Sequence, residues 1–301
     1  MRYLALLHIL GKSAGSAEVR EARARVPGGP WARALLAGQR ADGGFGVHPY
    51  RKWTGAHWRL VSLVELGVPS DDPRAHRALE QELRWIGNDR DWVVTINGRA
   101  RRCASQEGNA LAAASRLGMA GDPRVRRLAE SLIAWQWPDG GWNCDKDPDA
   151  DHSSFYESLA PMWGLIEYHR ATDDDEARRA AKRTAEMFLR HRLFRSEETG
   201  KVINPEWLKL HYPLYWHYDI LQALRILCLI VPLKGPRVRE AIDIVEGKRL
   251  SDGRWRAEGY YWRPPSGKGS SNADVVDWGR VGPNKMITLN ALRVLKAAGR
   301  R

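Results

Sequence analysis

Three times the chain writes an aromatic-flanked Asp-Gly turn: Asp42-Gly43-Gly44-Phe45 after Gln39, Asp139-Gly140-Gly141-Trp142 after Trp135-Gln136-Trp137-Pro138, and Asp252-Gly253-Arg254-Trp255. Small apolar segments of a common design follow, such as Gly108-Asn109-Ala110-Leu111-Ala112-Ala113-Ala114 and Asn290-Ala291-Leu292-Arg293-Val294-Leu295. Self-similarity of this kind constrains a chain to stacked copies of one supersecondary unit, because a single unit cannot bury its own apolar face.

The apolar period of 3.6 identifies the unit as a helical hairpin. One class of helix is small and apolar on nearly all sides, at about 2 to 11, 55 to 67, 105 to 118, 153 to 169, 215 to 231 and 284 to 298. A second class carries Arg, Glu and Lys on one face, at about 30 to 39, 73 to 87, 122 to 135, 174 to 192 and 236 to 248. Helices apolar all round are buried and amphipathic ones are half in water. Their alternation, at a pitch of roughly fifty residues, predicts an inner and an outer ring. The expected fold is all-α, an (α/α)6 toroid of helical hairpins forming one domain over residues 1–301. Ser70-Asp71-Asp72-Pro73, Gly121-Asp122-Pro123 and Thr172-Asp173-Asp174-Asp175-Glu176 place caps or an N1 proline where outer helices should begin. Val93-Val94-Thr95-Ile96-Asn97-Gly98 reads as a short hairpin arm.

Composition narrows the function classes. The net charge of +12 comes from Arg and Lys dispersed along outer-helix segments such as Arg178-Arg179-Ala180-Ala181-Lys182-Arg183. That reads as a solvated basic exterior or as attraction for an anion such as a diphosphate, and it carries no nucleic-acid-binding signature. Cys103, Cys144 and Cys228 form no CxxC pair, so neither a disulfide framework nor a zinc ribbon is written, and a reducing cytoplasm fits. The apolar start Met1 to Leu10 is short and holds His8, so it is expected to be a core helix rather than a signal peptide. No apolar run is long enough to span a bilayer. The alternation of Asp145, Asp147, Asp149 and Asp151 lacks the glycine and terminal glutamate of a calcium loop, and reads as an acidic lead into the next inner helix.

In a toroid the inner helices begin at one rim, so their first turns and the loops before them surround a central funnel. The rim set is Trp53, His57, Trp58, Cys103, Gln106, Glu107, Asn109, Asp149, Asp151, His152, Ser153, Phe155, Tyr156, Glu157, His211, Trp216, His217, Tyr218, Asp219, Asn284 and Lys285. A concave apolar site with a few convergent polar groups is the expected binding site.

At these residues the chain resembles a known superfamily. Trp135 to Trp142 is similar to the Gln-Trp repeats of squalene-hopene and oxidosqualene cyclases and of protein prenyltransferase β subunits. Gly141 to Asp145, His152 to Phe155 and Tyr215 to Asp219 also resemble bacterial proteins described as squalene-cyclase-like. The resemblance covers the whole chain as hairpin repeats and implies an α/α toroid that takes an isoprenoid or similar apolar substrate, with or without a diphosphate. Class II terpene cyclases carry Asp-x-Asp-Asp at the head of an inner helix, and Asp149 and Asp151 match two of its acids while His152 replaces the last. The resemblance therefore makes Asp151 the acid that initiates cyclisation or isomerisation, tuned by Asp149 and His152, with His217 as partner. Protein prenyltransferases bind zinc through Asp-x-Cys and a His on the next inner helix. Asp151 and His217 fit two of those places, Ser153 stands at the Cys position, and a metal, if bound, would use Asp151, His152 and His217. Two other readings remain open. A carbohydrate-active toroid would draw paired carboxylates from Glu107, Asp149, Asp151, Glu157 or Asp219, with Trp53 and Trp216 stacking on sugars, whereas a binding module would use the basic exterior.

Overall fold

The computed structural model describes residues 1–88, 93–265 and 272–300. Just over half of the chain is helix, and among the described residues the only named strands are β1 (Val94–Ile96) and β2 (Arg99–Arg101), an antiparallel hairpin turning at Asn97 and Gly98.

The buried helices are α4 (Ala56–Leu66), α6 (Ala104–Arg116), α8 (Phe155–Thr172), α10 (Ile220–Leu227) and α12 (Lys285–Ala297). The amphipathic ones include α5 (Pro73–Asn88), α7 (Pro123–Trp135), α9 (Asp175–Arg190) and α11 (Pro236–Gly247). Each buried helix packs against the next, α4 on α6, α6 on α8, α8 on α10 and α10 on α12, and the amphipathic helices do likewise from α5 to α11. One apolar cluster runs through both sets from Tyr3 to Leu295. At its centre α6 and α8 approach backbone to backbone, because a Cβ on Gly108 would lie 2.3 Å from the Pro161 nitrogen and one on Gly164 2.4 Å from the Gly108 oxygen.

The start of the chain departs from the expected single helix over 2–11. It forms α1 (Arg2–Leu4), then a π-helical turn over Ala5–Ile9 that packs on α12. An additional short helix, α2 (Ala17–Ala24), precedes α3 (Pro30–Leu36). Most other boundaries fall within three residues of the sequence expectation, since caps and prolines fix them: Asp122 accepts from Arg124 N and Asp174 from Ala177 N. The largest shift is at α10. The apolar run from 215 continues a helical pattern, but Tyr215 has φ of +55° and Asp219 accepts from Gln222 N, so the helix begins only at Ile220.

The Asp-Gly turns share one hydrogen-bond pattern. Arg40 N, Trp137 N and Leu250 N donate to the oxygens of Gly44, Gly141 and Arg254, and the amides of Gly43, Gly140 and Gly253 donate back to Arg40, Trp137 and Leu250. The glutamines before the first two turns staple neighbouring units together. Gln39 Nε2 donates to the oxygens of Gly43 and Arg74, and Gln136 Nε2 to the oxygens of Gly140 and Ala180 and to Thr184 Oγ1. Trp142 and Trp255 each tie the turn to the preceding helix, donating Nε1 to Leu132 O and Val245 O.

Candidate functional site

The loops leading into α6 and α8 hold the most concentrated chemistry. Cys103 is the residue before α6, Cys144 lies just past the Asp139-Gly140 turn, and Glu157 is in the first turn of α8. One ligand atom from each lies within 4.8 Å of the others, and all three residues are partly buried. Cys144 Sγ is 3.7 Å from Glu157 Oε1, while Glu157 Oε2 accepts from Ser105 N at 3.0 Å, which fixes the carboxylate's orientation. The hydrogen bond between the two thiols lowers the Cys103 pKa and raises that of Cys144. Burial raises the Glu157 pKa.

Polar groups ring the cluster. Glu107 is buried and takes Arg102 Nε at 2.7 Å and Nη2 at 2.6 Å. Tyr50 hydrogen-bonds Gln106, and burial followed by the charge of Glu157 raises its phenol pKa. The same first turn of α8 faces two ways: Glu157 meets the cysteines, while Phe155 and Tyr156 line a groove of about 690 Å³ with Ser153, Trp207 and Ile203.

The acid set expected from the sequence is not assembled. Asp149, Asp151 and His152 are exposed, and His152 pairs with its neighbour Asp151, with side chains 86% and 67% exposed, at the edge of the groove of Phe155 and Trp207. An acid in that position is solvated and lacks the buried, shielded surroundings that strong-acid catalysis requires. The run before it is a ladder of side-chain turns rather than a helix lead: Asn143 accepts from Asp145 N, Asp145 from Asp147 N and Asp147 from Asp149 N. His217 lies apart, stacked between Trp216 and Tyr261 with ring centroids 3.7 and 3.3 Å away, and its Nδ1 bonds Leu214 O at 3.2 Å. Burial pushes its pKa down to about 4. Asp151, His152 and His217 therefore do not suit the zinc of a protein prenyltransferase.

Most of the expected substrate contacts serve the core. Trp53 stacks on Tyr215 at 3.8 Å and donates to Tyr261 O; Trp58 donates to Tyr50 O. His57 is fully buried against Glu82 at 2.6 Å, with Asn109 Nδ2 3.4 Å from its Nε2. Tyr218 donates to Leu193 O, Asp219 and Asn284 cap α10 and α12, and Lys285 is exposed. Gln106, Trp216 and Tyr156 stay half-buried, and Phe155 is packed against Phe188, Trp207 and Tyr218. The candidate carboxylates scatter in the same way, with Asp149 and Asp151 exposed and Glu107 and Asp219 buried and bonded.

The space where a funnel was expected is narrow. A cavity of about 40 Å³, lined among others by Asn109, Tyr156, Trp163, Trp216, His217 and Arg225, has room for a few waters and is too small for an isoprenoid.

Spacing along the chain places Cys103 and Glu157 at the rim and Cys103 or Cys144 near it, but not the three together, because Cys144 also looks like a small packing residue of its turn and Glu157 like one acid among several. The signal was that both cysteines stand where a turn or strand hands the chain to a buried helix. No family model, curated protein or solved structure matches the chain.

Proposed function

We propose that the alternating helices close into an α/α toroid and that the chain is a metal-dependent group-transfer enzyme, with a divalent ion such as zinc held by Cys103, Cys144 and Glu157. The observation that carries this is the grouping of two thiols and a carboxylate within 4.8 Å at the heads of α6 and α8. In a tetrahedral zinc site a sulfur and an oxygen ligand stand about 3.5 Å apart, and Cys144 Sγ and Glu157 Oε1 stand 3.7 Å apart. Three protein ligands leave one position open, as in a catalytic rather than a structural site, and there the ion would bind and polarise an incoming thiol, water or oxyanion. The closing of the ring is supported by α12 packing on the first turn of the chain and by Arg225 of α10 reaching Glu65 of α4 at 2.8 Å.

The geometry favours this over proton-initiated cyclisation because the only exposed acids at the matching motif, Asp149 and Asp151, are solvated. The isoprenoid or similarly apolar part of the substrate is assigned to the groove of Phe155, Tyr156, Ile203 and Trp207, whose volume suits a ligand of that size.

Metal analysis of protein purified from zinc-supplemented cells tests the proposal together with turnover of prenyl diphosphates on thiol acceptors. One zinc per chain is expected, lost in a Cys103→Ser, Cys144→Ser double variant along with turnover. Protein that neither carries nor takes up zinc, or a double variant that turns over as the parent does, sinks the reading.

A further inference from the structure

The end of the molecule formed by the C-termini of the buried helices collects cations in excess of its acids. Arg116 is the last residue of α6, Arg170 is in the last turn of α8, Arg225 in that of α10, and Arg293 sits one turn before the end of α12, with His8 on the π-helical turn that packs against α12. Two carboxylates answer them. Glu167 takes Arg116 at 3.1 Å, Arg170 at 3.9 Å and the Trp163 indole at 3.1 Å. Glu65 takes Arg225 at 2.8 Å and Gln222 at 3.5 Å. Arg293 has no hydrogen bond or ion pair among the described residues. Nor does the helix dipole account for it, because the basic residue in the last turn of α12 is Lys296, which bonds Ile9 O.

The neighbours of Arg293 make its position more demanding. Its pKa falls to about 10, first through burial and then through the charges of Arg225 and Arg116. His8 is pushed down to about 3 by burial and by Arg293, Arg116, Arg225 and Arg170 in turn. A guanidinium with five donors, half-buried among like charges and with no acceptor of its own among the described residues, is a group that lacks its counter-ion.

We propose that this basin binds a phosphate-type oxyanion on Arg293, with Arg116, Arg225 and Arg170 around it. Arginine matches such anions through two parallel N–H donors, and four guanidinium groups facing two carboxylates leave room for a dianion. The basin is independent of the cysteine cluster, which lies at the N-terminal ends of the buried helices. The ligand is either free phosphate or the phosphate of a larger molecule, and the chemistry of recognition is the same.

Calorimetric titration of the full chain in chloride buffer of fixed ionic strength, with inorganic phosphate and separately with phenyl phosphate, decides the matter. Wild type is expected to bind one equivalent, at least tenfold more tightly than Arg293→Met, while Arg178→Met on the outer surface binds as wild type does. Arg293→Lys should fall between the two, since it keeps the charge and loses the fork, and this provides a readout should Arg293→Met fold poorly. Equal affinity for the two ligands assigns the basin to free phosphate, and tighter phenyl phosphate assigns it to a phosphate ester. Absence of binding by wild type, or equal loss in Arg178→Met and Arg293→Met, overturns the proposal. Zinc content should be the same in Arg293→Met as in wild type, so a failure here is separable from a failure of the metal site.

Discussion

Gly140 and Gly253 stand at equivalent points of two Asp-Gly turns, with φ of +106° and +81°, yet a methyl group would meet different surroundings at each. At Gly140 it would lie 2.5 Å from Arg183 O of α9; at Gly253 nothing is within 4 Å. Both alanine variants carry the strain of the conformation, but only Gly140→Ala also forces the turn away from the next helix. Gly140→Ala is therefore expected to be about 1–3 kcal/mol more destabilising than Gly253→Ala, measured by urea unfolding. The buried His57 and Glu82 pair makes a second residue-scale prediction. Replacing His57 with Phe keeps the ring but leaves the Glu82 carboxylate without its partner, at a cost of about 3–5 kcal/mol. Similar stability of His57→Phe and wild type would show that Glu82 finds another donor.

Between elements, the staples matter more than the helices' own propensities. Gln136 joins its own turn to three positions of α9, Ala180, Arg183 and Thr184, whereas Gln39 makes one bond to its turn and one to α5. Gln136→Ala should cost about 1–3 kcal/mol and Gln39→Ala less, in the same unfolding assay. The equivalence of these staples was legible in the sequence, because the Gln, the Asp-Gly pair and the aromatic recur at fixed offsets. The shortened α10 was not legible, since an apolar run reads as helix until Tyr215 adopts a positive φ that only its tertiary partners, the stacked Trp53 ring and the Asp274 carboxylate, reward. The same limit applies to the site. Asp149 to His152 matched a motif by type and order, but whether such acids are buried depends on the path of the loop, and this loop runs outward through successive side-chain turns.

At the scale of the molecule, burial of neutral histidines sets a pH response. His217 at about 4 and His8 at about 3 lie below their ordinary 6.5. The folded state therefore keeps them unprotonated while the unfolded chain takes up protons, so their contribution to stability is present above pH 6.5 and lost as pH falls from 6.5 towards 4. Glu157 and Asp274, whose pKa values are raised by desolvation, act in the opposite sense, so the histidine contribution is read as a difference. The unfolding midpoint of wild type should drop between pH 7 and 5 by more than that of His217→Phe. Equal drops would show that the His217 ring is protonated within the fold.

The sequence by itself determined the repeat, the alternation of buried and half-buried helices, and the caps that bound them, because these rest on spacing along one chain. Which side chains meet was decided only by tertiary packing. Cys103 and Glu157 are separated by two helices, a turn and a loop, yet α6 and α8 are held at backbone contact by Gly108 and Gly164, and this brings the heads of the two helices and their ligands together. The Asp-His motif next to them in sequence lies in water, for the loop carrying it has no apolar face to bury.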